Sequence, residues 1–80
     1  MPHYWFVWTP QRLSKLEAND VDSTDFERVV MHPESVATSR TTGRPIAFGT
    51  DSQERQIACV YEVESDGLTV HPITAFPTEQ

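Results

Sequence analysis

The chain has a single cysteine, Cys59, among its 80 residues. No intrachain disulfide can therefore form, and no Cys/His cluster with zinc-ligand spacing occurs, so both staples common in small domains are missing. A reducing compartment is the expected setting. Long apolar runs are missing too. Nothing approaches the roughly 20 consecutive residues that span a bilayer, and the N-terminus lacks the basic start and apolar stretch of a signal peptide. A cytoplasmic location without membrane contact is expected. Basic residues are scarce, six Lys and Arg against twelve Asp and Glu, for a formal charge of −6. Such a surface repels a polyanion at long range, so RNA is expected to bind only weakly if at all. The deficit is even, three net negative charges in residues 1–38 and three in 39–80, so there is no acidic tail. Eighty residues make one domain, 1–80, of a size at which apolar burial only just offsets chain entropy. A homodimer or another protein partner would add stability.

What is present is three short apolar runs separated by tight turns: Arg44 to Gly49, Arg55 to Tyr61 and Leu68 to Ala75. The connections are too short for the crossovers that parallel strands need, so these runs predict an antiparallel meander. Gln56 to Val63 is the longest and most apolar stretch and is expected at the centre of the sheet. Asp66-Gly67 predicts a type I′ hairpin with positive φ at both residues. Pro72 lacks an amide donor and predicts a bulge or an unpaired side in the last strand. Residues from Pro77 to Gln80 are expected to be loose.

Upstream, Tyr4 to Thr9 packs aromatic and β-branched residues together and predicts a first strand. Thr9-Pro10 supplies an N-cap hydroxyl followed by proline at the first helical position, predicting a helix from Pro10 to about Ala18. Asn19-Asp20 tolerates the left-handed conformation that ends it. Asp22 then caps a second helix, from Ser23 to about Met31, with Val21 and Phe26 as a hydrophobic staple. Phe26, Val29 and Val30 form its buried stripe, while Asp25, Glu27 and Arg28 are expected to face water. Val36 and Thr38 lie in a weak, polar run that reads as an edge strand. The order β-α-α-β-β-β-β implies an α+β fold, two helices on one face of a mostly antiparallel sheet of four to five strands. The helix-free face is the candidate working surface.

These residues resemble the BrnT toxins, a branch of the RelE/ParE-like type II toxin superfamily. The first strand with Trp8, the valine before an acid-rich helix, and His32-Pro33 at its end follow the family's opening half. Gly43-Arg44, Ile46-Ala47-Phe48-Gly49, Arg55 opening an apolar strand to Tyr61, and Ile73-Thr74-Ala75 follow the second half. The resemblance implies a ribonuclease toxin that cleaves mRNA, a metal-independent endoribonuclease needing no cofactor and neutralised by a cognate DNA-binding antitoxin. It also places Arg44 and Arg55 at the family's arginine positions. Two departures remove basic groups: Ala18-Asn19-Asp20 stands where the family has lysine-histidine-glycine, and Phe76 where it has arginine. Cleavage needs positive groups around the transition-state phosphate, so these losses imply a catalytically impaired, BrnT-like module that works by binding a protein.

The candidate residues follow from both readings. Arg44, Arg55 and His71 are the expected catalytic set of a nuclease, with Arg40 as a further anion-binding residue. The alternative for the arginines is that they are solvated or paired with Asp51, Glu54 and Glu62. Trp5 and Trp8, with Tyr4, offer flat amphipathic surface for a partner, for a second copy or for stacked bases, although core filling also accounts for them. Strand alternation sends Trp5 and Val7 one way and Tyr4, Phe6 and Trp8 the other. A third class of function, retention of a small anionic ligand, stays open at this point. Cys59 is expected to be a small buried hydrophobe. His3 is expected at the surface and His32 at a helix end, neither as a metal ligand. Capping and helix-dipole compensation account for Asp20, Asp22, Asp25 and Glu27.

Overall fold

A computed structural model describes residues 4–78; His3 and residues 79 and 80 lie outside the described residues. The elements are β1 (Trp5–Phe6), α1 (Pro10–Ala18), α2 (Ser23–Met31), β2 (Ser35–Thr38), β3 (Pro45–Thr50), β4 (Gln56–Val63) and β5 (Thr69–Pro77). They form one five-stranded sheet in the order β1-β5-β4-β3-β2. All pairings are antiparallel except that of β1 with β5. This is the α+β arrangement read from the sequence, with β4 central.

Both helices start where their caps dictate. The Thr9 hydroxyl accepts the Arg12 amide at 3.2 Å, and Pro10 occupies the first helical turn. The chain leaves α1 through Asn19 and through Asp20 at φ 61°. Asp22 then accepts the Thr24 amide at 2.8 Å and opens α2. Leu16, Val21, Phe26, Val29 and Val30 bury their side chains against Ala47, Ile57, Cys59, Tyr61, Val70 and Ala75. The closest approach of helix to sheet is at Gly49, where a Cβ would lie 3.0 Å from both methyls of Val29. Odd-numbered residues of β3 and β4 therefore face the helices. Ile46, Phe48, Ala58 and Val60 point to the helix-free side.

Several local expectations need correction. The first strand is only Trp5–Phe6 long, because the chain turns so that Trp8 can pack on Phe26 at 5.3 Å between ring centroids. Asp25 does not face water. It is 5% exposed, pairs with Arg28 at 3.0 Å and accepts the Ser52 hydroxyl at 3.0 Å. In the β4–β5 turn only Gly67 has positive φ, at 73°, which excludes a type I′ hairpin. The Gly67 amide instead reaches the Glu64 carbonyl, and the Asp66 carboxylate accepts the Leu68 and Thr69 amides. The last strand continues through Pro77, and the Thr78 amide bonds the Gln56 carbonyl at 2.9 Å, so those two positions are not loose.

Pro72 sits beside a bulge. Val60 pairs with Thr74 but Tyr61 with Pro72, which leaves Ile73 as the extra residue. Side chains of α1 lie along this stretch: Arg12 Nη1 donates to the Ile73 carbonyl at 3.4 Å and Asn19 Nδ2 to the Ala75 carbonyl at 2.8 Å. The part of β5 that the short β1 leaves unpaired is thus capped by α1. No helix among the described residues is long and apolar enough to cross a membrane.

Candidate functional site

Two clefts flank the sheet, one at each end of β4. The first, of about 470 Å³, is lined by Thr42, Gly43, Arg44, Glu62, Glu64 and His71, among others. Gly43 allows the backbone to turn here, with φ at 77°. Glu62 and His71 are direct cross-strand partners. Arg44 donates from Nε to Glu62 Oε2 at 2.7 Å, and His71 Nε2 pairs with Glu64 Oε2. Arg44, Glu62 and His71 therefore run as a row across three strands on the helix-free face. Arg44 and His71 are thus each already engaged by a carboxylate.

The second cleft, of about 280 Å³, lies where the α1–α2 turn meets the β3–β4 turn, and Glu17, Asp20, Asp22, Ser52 and Arg55 line it. Arg55 spends its donors on two carboxylates and a carbonyl. Its Nε and Nη2 reach Asp51 Oδ2 at 2.8 and 2.7 Å, Nη1 reaches Asp20 Oδ2 at 3.1 Å, and Nη2 donates to the Asp20 carbonyl at 2.7 Å. Asp51 is 4% exposed and also accepts the amides of Gln53 and Arg55. Burial alone pushes the Asp51 carboxyl up, but the Arg55 amide and guanidinium and the Gln53 amide together outweigh it and hold it below the usual value of 3.8. The same contact, with the Asp51 carboxylate as chief cause, raises the Arg55 guanidinium above its ordinary value. Arg55 ties two turns together.

The expected catalytic residues consequently divide. Arg44 and His71 share one cleft, and Arg55 lies at the other. The seven residue steps from Arg55 to Glu62 along β4 amount to roughly 23 Å at strand rise. Arg40 is exposed in the turn after β2 and pairs with no carboxylate among the described residues. Trp5 is 73% exposed on the helix-free side. Trp8 belongs to the core instead, its indole N–H donating to Glu27 Oε2 at 2.7 Å.

A phosphate entering the Arg44 cleft would have to displace Glu62 from the guanidinium while Glu64 stands nearby, which is unfavourable for a dianion. A His–carboxylate pair can move a proton. Neither carboxylate can stabilise the negative charge that builds up on a phosphorane.

No protein family, curated protein or solved structure matches this chain. The likeness to BrnT toxins accordingly rests on the sequence motifs alone.

Sequence reasoning named Asp51 and Glu62 as partners for the arginines but missed Asp20 and Glu64, which become partners only once the turns are folded. It also missed an apolar band on the helix-free face. Phe48, Ala58 and Phe76 are neighbours across three strands, with Ile46, Val60 and Thr74 forming the next row. Ala58 is only 1% exposed although no helix covers it, and Phe76 is 41% exposed. The signal was present in the period-two alternation of the three strands.

Proposed function

We propose that this chain is a protein-binding module of toxin–antitoxin type, impaired as a nuclease, whose contact surface is the helix-free face of the sheet. The observation that carries the reading is the pairing of each residue of the expected catalytic set with a carboxylate of the chain: Arg44 with Glu62, Arg55 with Asp51 and Asp20, His71 with Glu64. A surface at −6 with both arginines paired gives RNA little to hold. The apolar band of Phe48, Ala58 and Phe76, with the exposed Trp5 on the same side, has the composition of a binding core. The partner implied by the BrnT resemblance is a small antitoxin encoded beside the chain.

The test is calorimetric titration with the protein product of the neighbouring gene, alongside incubation with mixed-sequence RNA at low salt. Trp5→Ala with Phe76→Ser is expected to weaken the protein complex at least about tenfold, the scale of one hot spot, and the RNA is expected to stay intact. One observation favours the second reading, a ribonuclease toxin: Arg44 and His71 do share a cleft. RNA cleaved by the wild type and spared by Arg44→Ala and His71→Ala would establish that reading and overturn the first.

A further inference from the structure

The two edges of the sheet are treated differently. On the β5 side, Arg12 and Asn19 cap the carbonyls that the short β1 leaves open, and Pro72 and Pro77 remove donors from the strand. On the other side no described residue covers β2. All four of its residues, Ser35-Val-Ala-Thr38, are exposed, and none is charged or proline. Charge and proline are two of the devices by which edge strands avoid further pairing, and β2 has neither. The Ser39 amide continues its ladder to β3 on the Arg44 carbonyl at 2.8 Å, whereas the Glu34 amide reaches the carbonyl of Phe48, the partner of Ser35, so the ladder breaks step just before the strand. Because hydrogen bonding alternates along an antiparallel strand, the inward bond at Ser39 turns the amides and carbonyls of Thr38 and Val36 outward.

The charges at the two ends of this bare edge are complementary. Glu34, at the entry, is held by two neutral groups, the Thr50 hydroxyl at 2.7 Å and the Gln56 amide at 3.4 Å, and pairs with no cation among the described residues. Arg40, just past the exit, pairs with no carboxylate among the described residues. From these observations we infer that β2 is a self-pairing edge, which joins two copies of the chain by antiparallel β2–β2 addition centred on Ala37.

That register follows from parity and charge together. With Ala37 opposite Ala37 of a second copy, the outward groups of Val36 meet those of Thr38, and Thr38 those of Val36. The same antiparallel pairing brings the Glu34 end of each edge to the Arg40 end of the other, both residues lying just outside β2. Ala37 at the centre is a non-hydrogen-bonded pair, where side chains come closest and a methyl group fits. The two five-stranded sheets merge into one, and the helix-free faces become a single surface. The inference rests on the edge alone and does not depend on what that face binds. A wild type that forms no dimer yet binds its partner overturns this inference and leaves the proposed function standing.

The test is sedimentation velocity on the purified chain over a concentration series, with variants that address the backbone and the charges separately. Wild type is expected to be a dimer that dissociates on dilution. Thr38→Pro removes one outward amide and no inward one, so it is expected to give a monomer with an unchanged far-ultraviolet circular dichroism spectrum. Glu34→Arg and Arg40→Glu, each alone, set like charges opposite each other and are expected to weaken association roughly tenfold or more. Mixed together, the same two variants have complementary ends in both places, and a heterodimer is expected to return. A wild type that stays monomeric at every accessible concentration overturns the inference. So does a dimer that Thr38→Pro leaves unchanged, or a mixture that associates no better than its components. The charge exchange decides the matter even if the proline variant fails to fold.

Discussion

Asp51 carries a negative charge at a place water scarcely reaches, and Arg55 makes that tolerable. Three of the contacts on this carboxylate come from Arg55 and Gln53 within its own turn. Arg55 then passes the tie on to Asp20, at the start of α2's approach. An arginine with this many short contacts is an internal brace, and releasing it to grip a substrate phosphate would leave Asp51 buried and uncompensated. Asp51→Ala removes a charged acceptor of several bonds and is expected to cost about 1.5–3 kcal/mol at neutral pH, measured by urea denaturation. The pH dependence has a definite sign. The folded-state pKa of Asp51 is depressed below the ordinary 3.8, so its contribution is fully present above that value and is lost as pH falls through the lower folded-state value. Wild type should therefore approach Asp51→Ala in stability in strong acid. A gap between them that stays constant from neutral pH to below the aspartate range would mean that the carboxylate is not the stabilising group.

At the scale of elements, the tightest junction is α2 on β3, where Gly49 lets Val29 approach the strand. Gly49 has no positive φ, so its role is space and not backbone freedom. Gly49→Ala forces a methyl to 3.0 Å from two others and is expected to cost about 1–3 kcal/mol, with Val29→Ala in the same chain recovering part of the loss. Strictly additive losses in that double variant would show that the contact is not the cause. The helices themselves were legible because their signals are local: Thr9-Pro10, Asn19-Asp20 and Asp22 act within a few residues of where they stand. The meander, its central strand and the irregularity at Pro72 were legible for the same reason. What was not legible depends on contacts distant in sequence. Asp25 looked solvent-facing by helical periodicity, yet Ser52 from another turn covers it. Trp8 looked like strand, yet Phe26 and Glu27 draw it into the helical layer. The turn at Asp66-Gly67 was placed correctly and typed wrongly, because the Asp66 side chain takes two amides and the loop closes with a single left-handed glycine.

At the scale of the whole molecule, topology decides which of the candidate residues can meet. Arg44 and Arg55 each open a strand, and consecutive antiparallel strands begin at opposite ends of a sheet. The meander read from the sequence thus already implied their separation, while the contacts that neutralise them needed the turns in three dimensions. His71 falls beside Arg44 because β5 returns past the end of β4, a register set by the length of the Glu64 to Thr69 loop. The same central position of β4 makes Cys59 a reporter of global unfolding. Its side chain has no exposure, and burial, aided by the Asp25 charge, pushes the thiol up to about 12. Only the thiolate reacts with a disulfide reagent, so at pH 8 the native thiol is both neutral and inaccessible. β3 lies on one side of the strand, β5 on the other and the helices above, so exposure of the thiol is expected to need more than the fraying of one edge. Labelling must await separation of the two layers. For a small domain of ordinary stability, near 5 kcal/mol, that makes native labelling roughly five-thousandfold slower than labelling in denaturant. Gly49→Ala and Asp51→Ala should each speed native labelling in proportion to their loss of stability when reclosing outpaces the chemistry. Rapid native labelling, indifferent to both substitutions, would mean that β4 is reached without unfolding and that the two-layer core is looser than its packing implies.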